Sequence, residues 1–430
     1  MDMPIAGKAP ERSERLRRDA QAVLQAAVRA VRPDRAVAGH LRGLPAATRY
    51  IALAVGKAAW GMARAAREIL GERIQRGIVI TKYGHAGGAL EGFEVREAGH
   101  PVLDENSLAA TERALQVLGE RPPDAEVLLL LSGGGSALFE SPLPGVRLAD
   151  LREINDRLLR GGASIVEVNA VRKHLSAVKG GRLAERLLPT KVLTLALSDV
   201  LGDRLDSIAS GPAWPDPTTS GEALAVLERC GIRPAPAVLD ALRQETPKQL
   251  GNVEARIVGS LARACEEAVH AAESLGYRAR VLTTALEGEA SDAGRELGAL
   301  ARKTRQALET DGLPQALIAG GETVVHVRGG GLGGRNQELA LAAAAEIKGL
   351  DGVVFAAMGT DGTDGPTDAA GGLVDGGTVR RLAEKGFLLE DALQDNDAYH
   401  ALQASGDLLV TGPTGTNVND LVVILVRTDR

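Results

Sequence analysis

Short aliphatic runs recur along the chain, and each is followed by a loop rich in glycine or aspartate and then by an alanine-rich segment. In the first half these runs are YIALAV from Tyr50, GIVIT from Gly77, AEVLLLL from Ala125 and KVLTLAL from Lys191. Continuous runs without alternation are typical of parallel strands that are covered by helices on both faces. A helix is predicted between the second and third runs, from the cap residue Asp104 to Leu118, with Gly119 as its end.

A proline-rich passage from Ser210 to Gly221 interrupts this rhythm, and the alternation restarts after Pro247. The runs of the second half are ARIV from Ala255, RARVL from Arg278, QALIAGG from Gln315 and GVVFAAM from Gly352. Two successive series of this kind predict an α/β protein of two domains, in which the loops at the carboxyl ends of the strands face a cleft. We place the boundary near Pro247, which gives domains of residues 15–247 and 248–430.

Composition narrows the class of protein. A chain of 430 residues with 44% hydrophobic and 25% charged residues is long enough for two ordinary globular cores. A net charge of −6 and an aromatic content of 2% argue against nucleic acid or an anionic membrane as partners. Only Cys230 and Cys265 occur, without CxxC spacing, and no signal peptide or membrane-spanning run is evident. We expect a cytoplasmic protein, with a homodimer left open.

The run that begins at Val127 continues as VLLLLSGGGSALFE. A nucleophilic serine of the G-x-S-x-G type is not indicated, because Leu138 stands where Ser136 needs the second glycine and Leu130 stands where Ser132 needs the first. A strand that ends in glycines and serines can instead turn amides and hydroxyls toward an anion, although a tight turn is the simpler alternative. The predicted anion cradle consists of Ser132, Gly133, Gly134, Gly135 and Ser136.

The sequence AVGKAAWG places Lys57 directly after a predicted strand. It is no P-loop, because the upstream glycine is missing and Ala58 replaces the serine or threonine that would hold magnesium. A lysine at the carboxyl end of a strand can still neutralise a phosphoryl group or a substrate carboxylate. An ordinary surface lysine is the alternative.

The segment GGGLGGRNQ has the spacing of a dinucleotide fingerprint, Gly329-x-Gly331-x-x-Gly334, between a predicted strand and a helix. It therefore keeps an NAD(P)H-dependent enzyme open. The polar residues that follow, beginning with Arg335 and Asn336, suit a charged substrate better than the packing of a helix beneath a pyrophosphate.

Two acidic loops and one basic stretch complete the candidates. Asp199, in LSDVLGD, and Asp361 and Asp364, in GTDGTDGPTDAAG, are able to hold magnesium together with substrate phosphates, and Asp199 is able to accept a proton. Helix caps and Asx-turns are the alternative. In NAVRKHLSAVKGG the polar residues share one helix face, which indicates either a carboxylate or phosphate site or a solvated surface.

Taken together, these segments resemble the class II glycerate kinases, whose carboxyl-terminal half is the MOFRL domain. Eight motifs follow the family's order over residues 15–425: AVGKAA, LLSGGGSAL, NAVRKHLSAVKGGRLA, SDVLGDRLDSIASGP, GGET, GGRNQELAL, GTDGTDGPTDAAG and TGPTGTNVNDL. The resemblance implies a Rossmann-like amino-terminal domain, a MOFRL-type α/β carboxyl-terminal domain, and phosphorylation of D-glycerate at the 2-hydroxyl with ATP and magnesium. It also implies that Lys57 and Arg335 face each other across the cleft. Asp199 corresponds to the aspartate of the family's Ser-Asp motif.

The motifs and the resemblance together predict three catalytic residues: Lys57, Arg335 and Asp199. The residues assigned to substrate are Ser132, Gly133, Gly134, Gly135, Ser136, Asn169, Arg172 and Lys173. The residues assigned to the nucleotide are Gly320, Gly321, Glu322, Thr323, Asn336, Asp361, Asp364 and Asn417. The residues assigned to magnesium are Asp199 and Asp361. The alternatives are an NAD(P)H-dependent hydroxypyruvate reductase, a name given to some members of this family, and a non-catalytic sensor of sugar acids or nucleotides.

Overall fold

The computed structural model describes residues 8–200, 202–312 and 314–428. The chain forms two compact units, which divide it at residues 32/33 and 258/259. We call residues 33–258 the inserted unit, and residues 8–32 together with 259–428 the outer unit. The first helix, α1 (Lys8–Ala30), thus packs with the second half of the chain, whereas the sequence analysis assigned it to the first domain. The second division lies at Val258, a short distance beyond the expected boundary at Pro247.

The inserted unit is built on a six-stranded sheet of order β3-β2-β1-β4-β5-β6. Its strands are β1 (Arg49–Val55), β2 (Ile74–Lys82), β3 (Phe93–Ala98), β4 (Ala125–Leu131), β5 (Val192–Leu197) and β6 (Val253–Gly259). The pairs from β3 to β5 are all parallel. This order is that of the Rossmann fold, in which β1 and β4 flank the point where the chain changes direction across the sheet. The predicted α/β class and Rossmann-like first domain are therefore confirmed.

The helices of the inserted unit connect these strands. They are α2 (Pro33–Leu41), α3 (Ala59–Leu70), α4 (Glu105–Gly119), α5 (Gly135–Leu138), α6 (Leu148–Arg160), α7 (Ile165–Leu175), α8 (Arg182–Arg186), α9 (Ser220–Arg229) and α10 (Pro236–Leu242), with 3₁₀ turns at Gly71–Arg73 and Ile208–Ser210. The predicted cap of α4 is confirmed, because the Asp104 carboxylate accepts a hydrogen bond from the Ser107 amide at 2.9 Å. Ala110 and Ala114 of α4 join the aliphatic core with Ile51 and Leu53 of β1.

The outer unit has a mixed sheet of order β11-β10-β9-β12-β8-β7. Its strands are β7 (Arg278–Leu286), β8 (Gln315–Gly321), β9 (Val353–Gly359), β10 (Gly371–Asp375), β11 (Leu408–Leu409) and β12 (Asp420–Val426). Only the β7–β8 pair is parallel among these described strands. Because β12 runs antiparallel, its first residue, Asp420, lies beside Gly321 and Gly359, the last residues of β8 and β9.

Helices cover both faces of this sheet. They are α1, α11 (Leu261–Ser274), α12 (Ala290–Asp311), α13 (Arg335–Glu346), α14 (Thr378–Glu384), α15 (Leu389–Gln394) and α16 (Ala398–Ser405). Helix α1 packs on α11, β9 and β12. It buries Leu16 and Val23, and Arg17 pairs with both Asp375 and Asp407 at 2.9 Å. Within the described ranges, no helix is long and apolar enough to cross a membrane.

Candidate active site

The loops that follow β1 and β4 are joined by hydrogen bonds at the carboxyl edge of the inserted unit's sheet. The Lys57 amide donates to the Gly133 carbonyl at 2.8 Å, and the Ala58 amide donates to the Ser132 hydroxyl at 3.1 Å. Ser132 itself is buried. The first serine of the predicted cradle therefore holds the turn that carries Lys57, at the point of the sheet where Rossmann-type folds bind ligands.

Two glycines bring the charged residues together. A Cβ atom on Gly133 would stand 1.9 Å from Oδ2 of Asp199, so the carboxylate lies directly against the glycine backbone. A Cβ on Gly134, whose φ is +86°, would stand 3.3 Å from Cε of Lys57 and 3.0 Å from Cδ2 of His100. Four residues that the sequence analysis selected, Lys57, Gly133, Gly134 and Asp199, thus meet at one place. We call Lys57, Gly133, Gly134, Asp199 and His100 the switch-point cluster.

His100 was not among the residues selected from the sequence. It stands two residues beyond the end of β3, and this position after a parallel strand was the available signal. Burial of the ring, followed by the charges of Lys57, Lys82 and His85, lowers its pKa to about 4. The imidazole is therefore neutral at pH 7, so Lys57 and Asp199 are the charged side chains of the cluster.

The second half of the predicted cradle is occupied by packing. A Cβ on Gly135 would stand 2.6 Å from Cβ of Ala209, and the Ser136 and Ser210 hydroxyls are 2.8 Å apart. Ala209 and Ser210 have φ values of +51° and +60°, which side chains rarely adopt and which cost about 1–3 kcal/mol each. A strained backbone segment, Ala209 and Ser210, thus packs against Gly135 and Ser136. The surrounding fold has to hold this segment in place.

The basic stretch of α7 is buried. The Lys173 ammonium lies 3.2 Å from Asp206 and 3.1 Å from Asp216, and its side chain is 2% exposed. Arg172 donates to the Asn155 side chain, and Asn169 is buried, its Oδ1 without a partner in the part of the chain described. Lys173 therefore lies neither on a solvated face nor in an open anion site. We leave Lys173 out of the proposed substrate site because two carboxylates already neutralise it.

Arg335, the first residue of α13, lies at the carboxyl edge of β8 in the outer unit. Its Nε and Nη2 donate to Asp420 at 2.6 and 3.1 Å, and its Nη1 donates to Glu322 at 2.8 Å. Burial raises the pKa of Asp420 to about 6, although Arg335 opposes this shift. The arginine is therefore oriented by two carboxylates. Asp420 was not selected from the sequence, since its position in the sheet depends on the antiparallel course of β12.

Two aspartates of the acidic loop after β9 have different roles. The Asp364 carboxylate accepts from the amides of Asn336 at 3.2 Å and Gln337 at 2.8 Å, so it caps the amino terminus of α13. Oδ1 of Asp361 accepts from the Thr363 amide at 3.0 Å in an Asx-turn. Asp364 is buried and serves the helix, whereas Asp361 stays half-buried at the edge of the sheet.

The remaining residues assigned to the nucleotide differ in their surroundings. A Cβ on Gly320 would stand 2.6 Å from Leu261, and one on Gly321 would stand 2.1 Å from the Leu286 carbonyl, so packing alone requires both glycines. Thr323 is buried. Asn417 is half-buried, and its Oδ1 accepts from the Asn419 amide at 3.2 Å.

The glycine-rich loop before α13 does not have the geometry of a dinucleotide site. The Gly330 amide donates to Asp395 Oδ1 at 2.9 Å, and the Gly329 amide donates to Asn396 Oδ1 at 3.1 Å. The Leu332 amide donates to Asp397 Oδ1 at 3.0 Å. Because side chains of residues 395–397 already take these amides, the loop does not present them to a pyrophosphate.

A Rossmann-order sheet with a lysine, a carboxylate and bare backbone at its switch point is typical of α/β enzymes that bind an anionic substrate there. Residues 19–243 match a family described as a domain of unknown function (DUF4147), and residues 315–420 match the MOFRL family.

Relatives identify the family more closely. The chain is 53% identical to the D-glycerate 2-kinase of Thermotoga maritima, over 96% of this chain and 99% of that protein. The crystal structure of glycerate kinase from Thermotoga maritima has a TM-score of 0.92 at 52% identity, and the match covers 96% of this chain and 100% of that one. A protein of Agrobacterium vitis, provisionally named a hydroxypyruvate reductase, is 42% identical over 94% of this chain and 93% of its own length. The chain belongs to the class II glycerate kinase family. Glycerate kinases are phosphotransferases with an alcohol group as acceptor.

Proposed function

We propose that the protein transfers the γ-phosphoryl group of ATP to the 2-hydroxyl of D-glycerate. The observation that carries the proposal is the switch-point cluster, in which Asp199 lies directly against Gly133 and Lys57 lies beside Gly134. Phosphoryl transfer requires mainly that two anions are held in line and that the spreading charge is neutralised. The names of the Thermotoga maritima relatives support the choice of substrates.

The roles follow from the charge of each group. The 2-hydroxyl oxygen attacks the γ-phosphorus, the bond to the bridging oxygen breaks, and ADP leaves. Asp199 accepts the proton of that hydroxyl, and the Lys57 ammonium neutralises the phosphoryl group or the glycerate carboxylate. In the outer unit we assign Arg335 to the reaction, together with its partners Glu322 and Asp420. The remaining candidates for the nucleotide are Asp361 and Asn417.

Magnesium is part of this proposal. No group of three or more histidine, cysteine, aspartate or glutamate side chains suited to a metal ion occurs among the described residues. Magnesium in kinases needs only one or two carboxylates besides the phosphates. The proposed ligands are Asp199 and Asp361, each of which is half-buried at the carboxyl edge of its own sheet. Either one alone supplies the single carboxylate that is needed. The ion supplies charge neutralisation at the phosphates.

The proposed setting is the cytoplasm, with D-glycerate and ATP as small-molecule partners. Both cysteines are free thiols, which agrees with a reducing compartment. The two matched families lie within the domains that we propose from the sequence, residues 15–247 and 248–430.

The test is to incubate the protein with D-glycerate, ATP and magnesium and to record the phosphorus NMR spectrum of the product. A phosphate on carbon 2 couples to one proton and gives a doublet, whereas one on carbon 3 couples to two protons and gives a triplet. We expect ADP, the doublet, and no product without magnesium. Oxidation of NADH by hydroxypyruvate without ADP formation would support the reductase instead, and binding without turnover would support the sensor.

Variants test the cluster itself. Lys57→Ala and Asp199→Asn should each lower kcat by about 10²–10³, the usual loss when one preorganised charge-stabilising group is removed. Lys191→Ala and Asp124→Asn are matched controls, because both side chains are well exposed in the same unit, just before β5 and β4. These controls should keep normal turnover. If Lys57→Ala and Asp199→Asn also keep it, the cluster is not the catalytic site even though the family is correct.

A further inference from the structure

His100 and Lys57 both lie close to one point of the switch-point cluster. The position of a Cβ on Gly134 would be 3.0 Å from Cδ2 and 3.1 Å from Nε2 of His100, and 3.3 Å from Cε of Lys57. Glycine leaves this space open, so a small ligand is able to touch the imidazole and the lysine at once. The ring is half-buried, and neither of its nitrogens has a hydrogen-bond partner among the residues that the structure describes.

The imidazole is suited to hydrogen bonding rather than to proton abstraction. A pKa of about 4 leaves the ring uncharged at neutral pH, but it also makes the ring too weak a base for a hydroxyl at that pH. A neutral imidazole offers one N–H donor and one acceptor nitrogen. This pair of functions matches an uncharged hydroxyl group, which both donates and accepts.

D-Glycerate has three polar groups, and two of them need charged partners. The carboxylate requires a cation, for which Lys57 is at hand. The 2-hydroxyl has to give up its proton, for which the carboxylate of Asp199 is at hand. The 3-hydroxyl remains. It keeps its proton and stays neutral through the reaction, so a neutral donor–acceptor side chain is its appropriate partner.

We propose that His100 binds the 3-hydroxyl of D-glycerate and thereby makes the protein prefer D-glycerate over D-lactate, which has the same configuration but a methyl group in place of CH₂OH. The inference rests on the proposed function and names its specificity residue. A site built to hydrogen-bond a substrate hydroxyl rejects an analogue that lacks it, because the polar group of the site is then left unpaired.

Titration calorimetry tests this without relying on turnover. We expect the wild-type protein to bind D-glycerate at least about 10-fold more tightly than D-lactate, in line with one buried hydrogen bond. In His100→Ala the affinity for D-glycerate should fall about 10- to 100-fold toward that for D-lactate, while the affinity for D-lactate changes less than threefold. His100→Asn, which retains a donor and an acceptor, should recover part of the preference.

His270→Ala is the matched control, because His270 is an exposed histidine of α11, and it should leave both affinities unchanged. His100→Phe keeps a ring of similar bulk and should lose the preference as His100→Ala does. Equal losses for both ligands in the folded variants would make His100 a structural residue and overturn the inference, as would variants with unchanged affinities or a wild-type protein without the preference. A wild-type protein that prefers D-glycerate but forms no ADP contradicts the proposed function, not the assignment of His100.

Discussion

Gly133 shows how one missing side chain shapes the site. The Asp199 carboxylate occupies the place where a Cβ on residue 133 would stand, at a distance of 1.9 Å from its Oδ2. Real atoms do not approach so closely, so either the carboxylate or the loop after β4 must move when a methyl group is added. The glycine is therefore required by contact with a functional group rather than by the turn itself.

A methyl group at this position should remove activity without unfolding the protein. We expect Gly133→Ala to lower kcat by at least about 10²-fold, since misplacement of a catalytic group by about 1 Å has effects of that order. Gly119→Ala is the control, because a Cβ there meets nothing within 4 Å. Normal kinetics for Gly133→Ala would show that Asp199 does not need its present position.

The two thiols should differ in reactivity. Cys265 is fully buried in α11, and burial raises its pKa to about 12, whereas Cys230 is half-buried. Thiolate is the reactive form. Iodoacetamide at pH 8 should therefore label Cys230 first and leave Cys265 unmodified until the protein unfolds, as peptide mass spectrometry will show. Equal labelling of both thiols in the native protein would contradict the burial of Cys265.

At the residue level, the sequence predicts which side chains lie together wherever position relative to a strand is enough. Lys57, Gly133 and Asp199 each stand two residues after the end of a strand, and the strand ends of a parallel sheet meet at one edge. Position along the chain was less informative for Lys173, whose partners lie 33 and 43 residues further along the chain. A basic residue on a helix looks the same in the sequence whether it faces an anion, the solvent or buried carboxylates.

Helix α7 shows, at the scale of one element, what a buried basic residue contributes to the fold. Lys173 ties the helix to the chain that precedes α9, through Asp206 and Asp216 in the interior. Lys173→Met should therefore lower the free energy of unfolding by about 3–5 kcal/mol, the usual cost of leaving buried charges without their partner. Urea unfolding measures the loss.

The exposed Lys191 provides the comparison for α7. Lys191→Met should change the free energy of unfolding by no more than about 0.5 kcal/mol. If Lys173→Met is as stable as the wild type but has a raised KM for D-glycerate, the assignment of Lys173 to the substrate was correct after all.

Helix α13 shows which helix features a sequence reveals. Its Ala-rich pattern predicted the helix, but its cap is Asp364, 27 residues beyond the amide of Gln337 that it accepts. A cap supplied by a distant loop leaves no local signature, because capping motifs are recognised from residues next to the helix. The same limit applies to α1, whose buried stripe does not tell which sheet it covers.

At the scale of the whole molecule, the chain enters the outer unit with α1, leaves it for residues 33–258, and then returns. Helix α1 contributes Leu16 and Val23 to the core of the outer unit, and Arg17 to its buried carboxylates. A fragment of residues 259–430 would leave this apolar surface and two aspartates uncovered. We therefore expect the second half of the chain not to fold cooperatively by itself.

A peptide of residues 8–32 should restore folding to that fragment. Circular dichroism should show a cooperative thermal transition for residues 259–430 only when the peptide is added. A peptide with Leu16→Asp and Val23→Asp should fail to restore it, since the buried positions then carry charge. A cooperative transition for the fragment without any peptide would show that α1 is dispensable to the outer unit.

The position of α1 also sets an order of events during synthesis. Domains fold as units while the ribosome elongates the chain at about 5–20 residues per second. The chain has 430 residues, so 172 follow Val258, and their synthesis takes about 10–35 s. The inserted unit is thus complete while α1, made first, still lacks its partners. For that interval the nascent chain carries an unburied amphipathic helix, which makes its first 32 residues the expected place for a chaperone to bind.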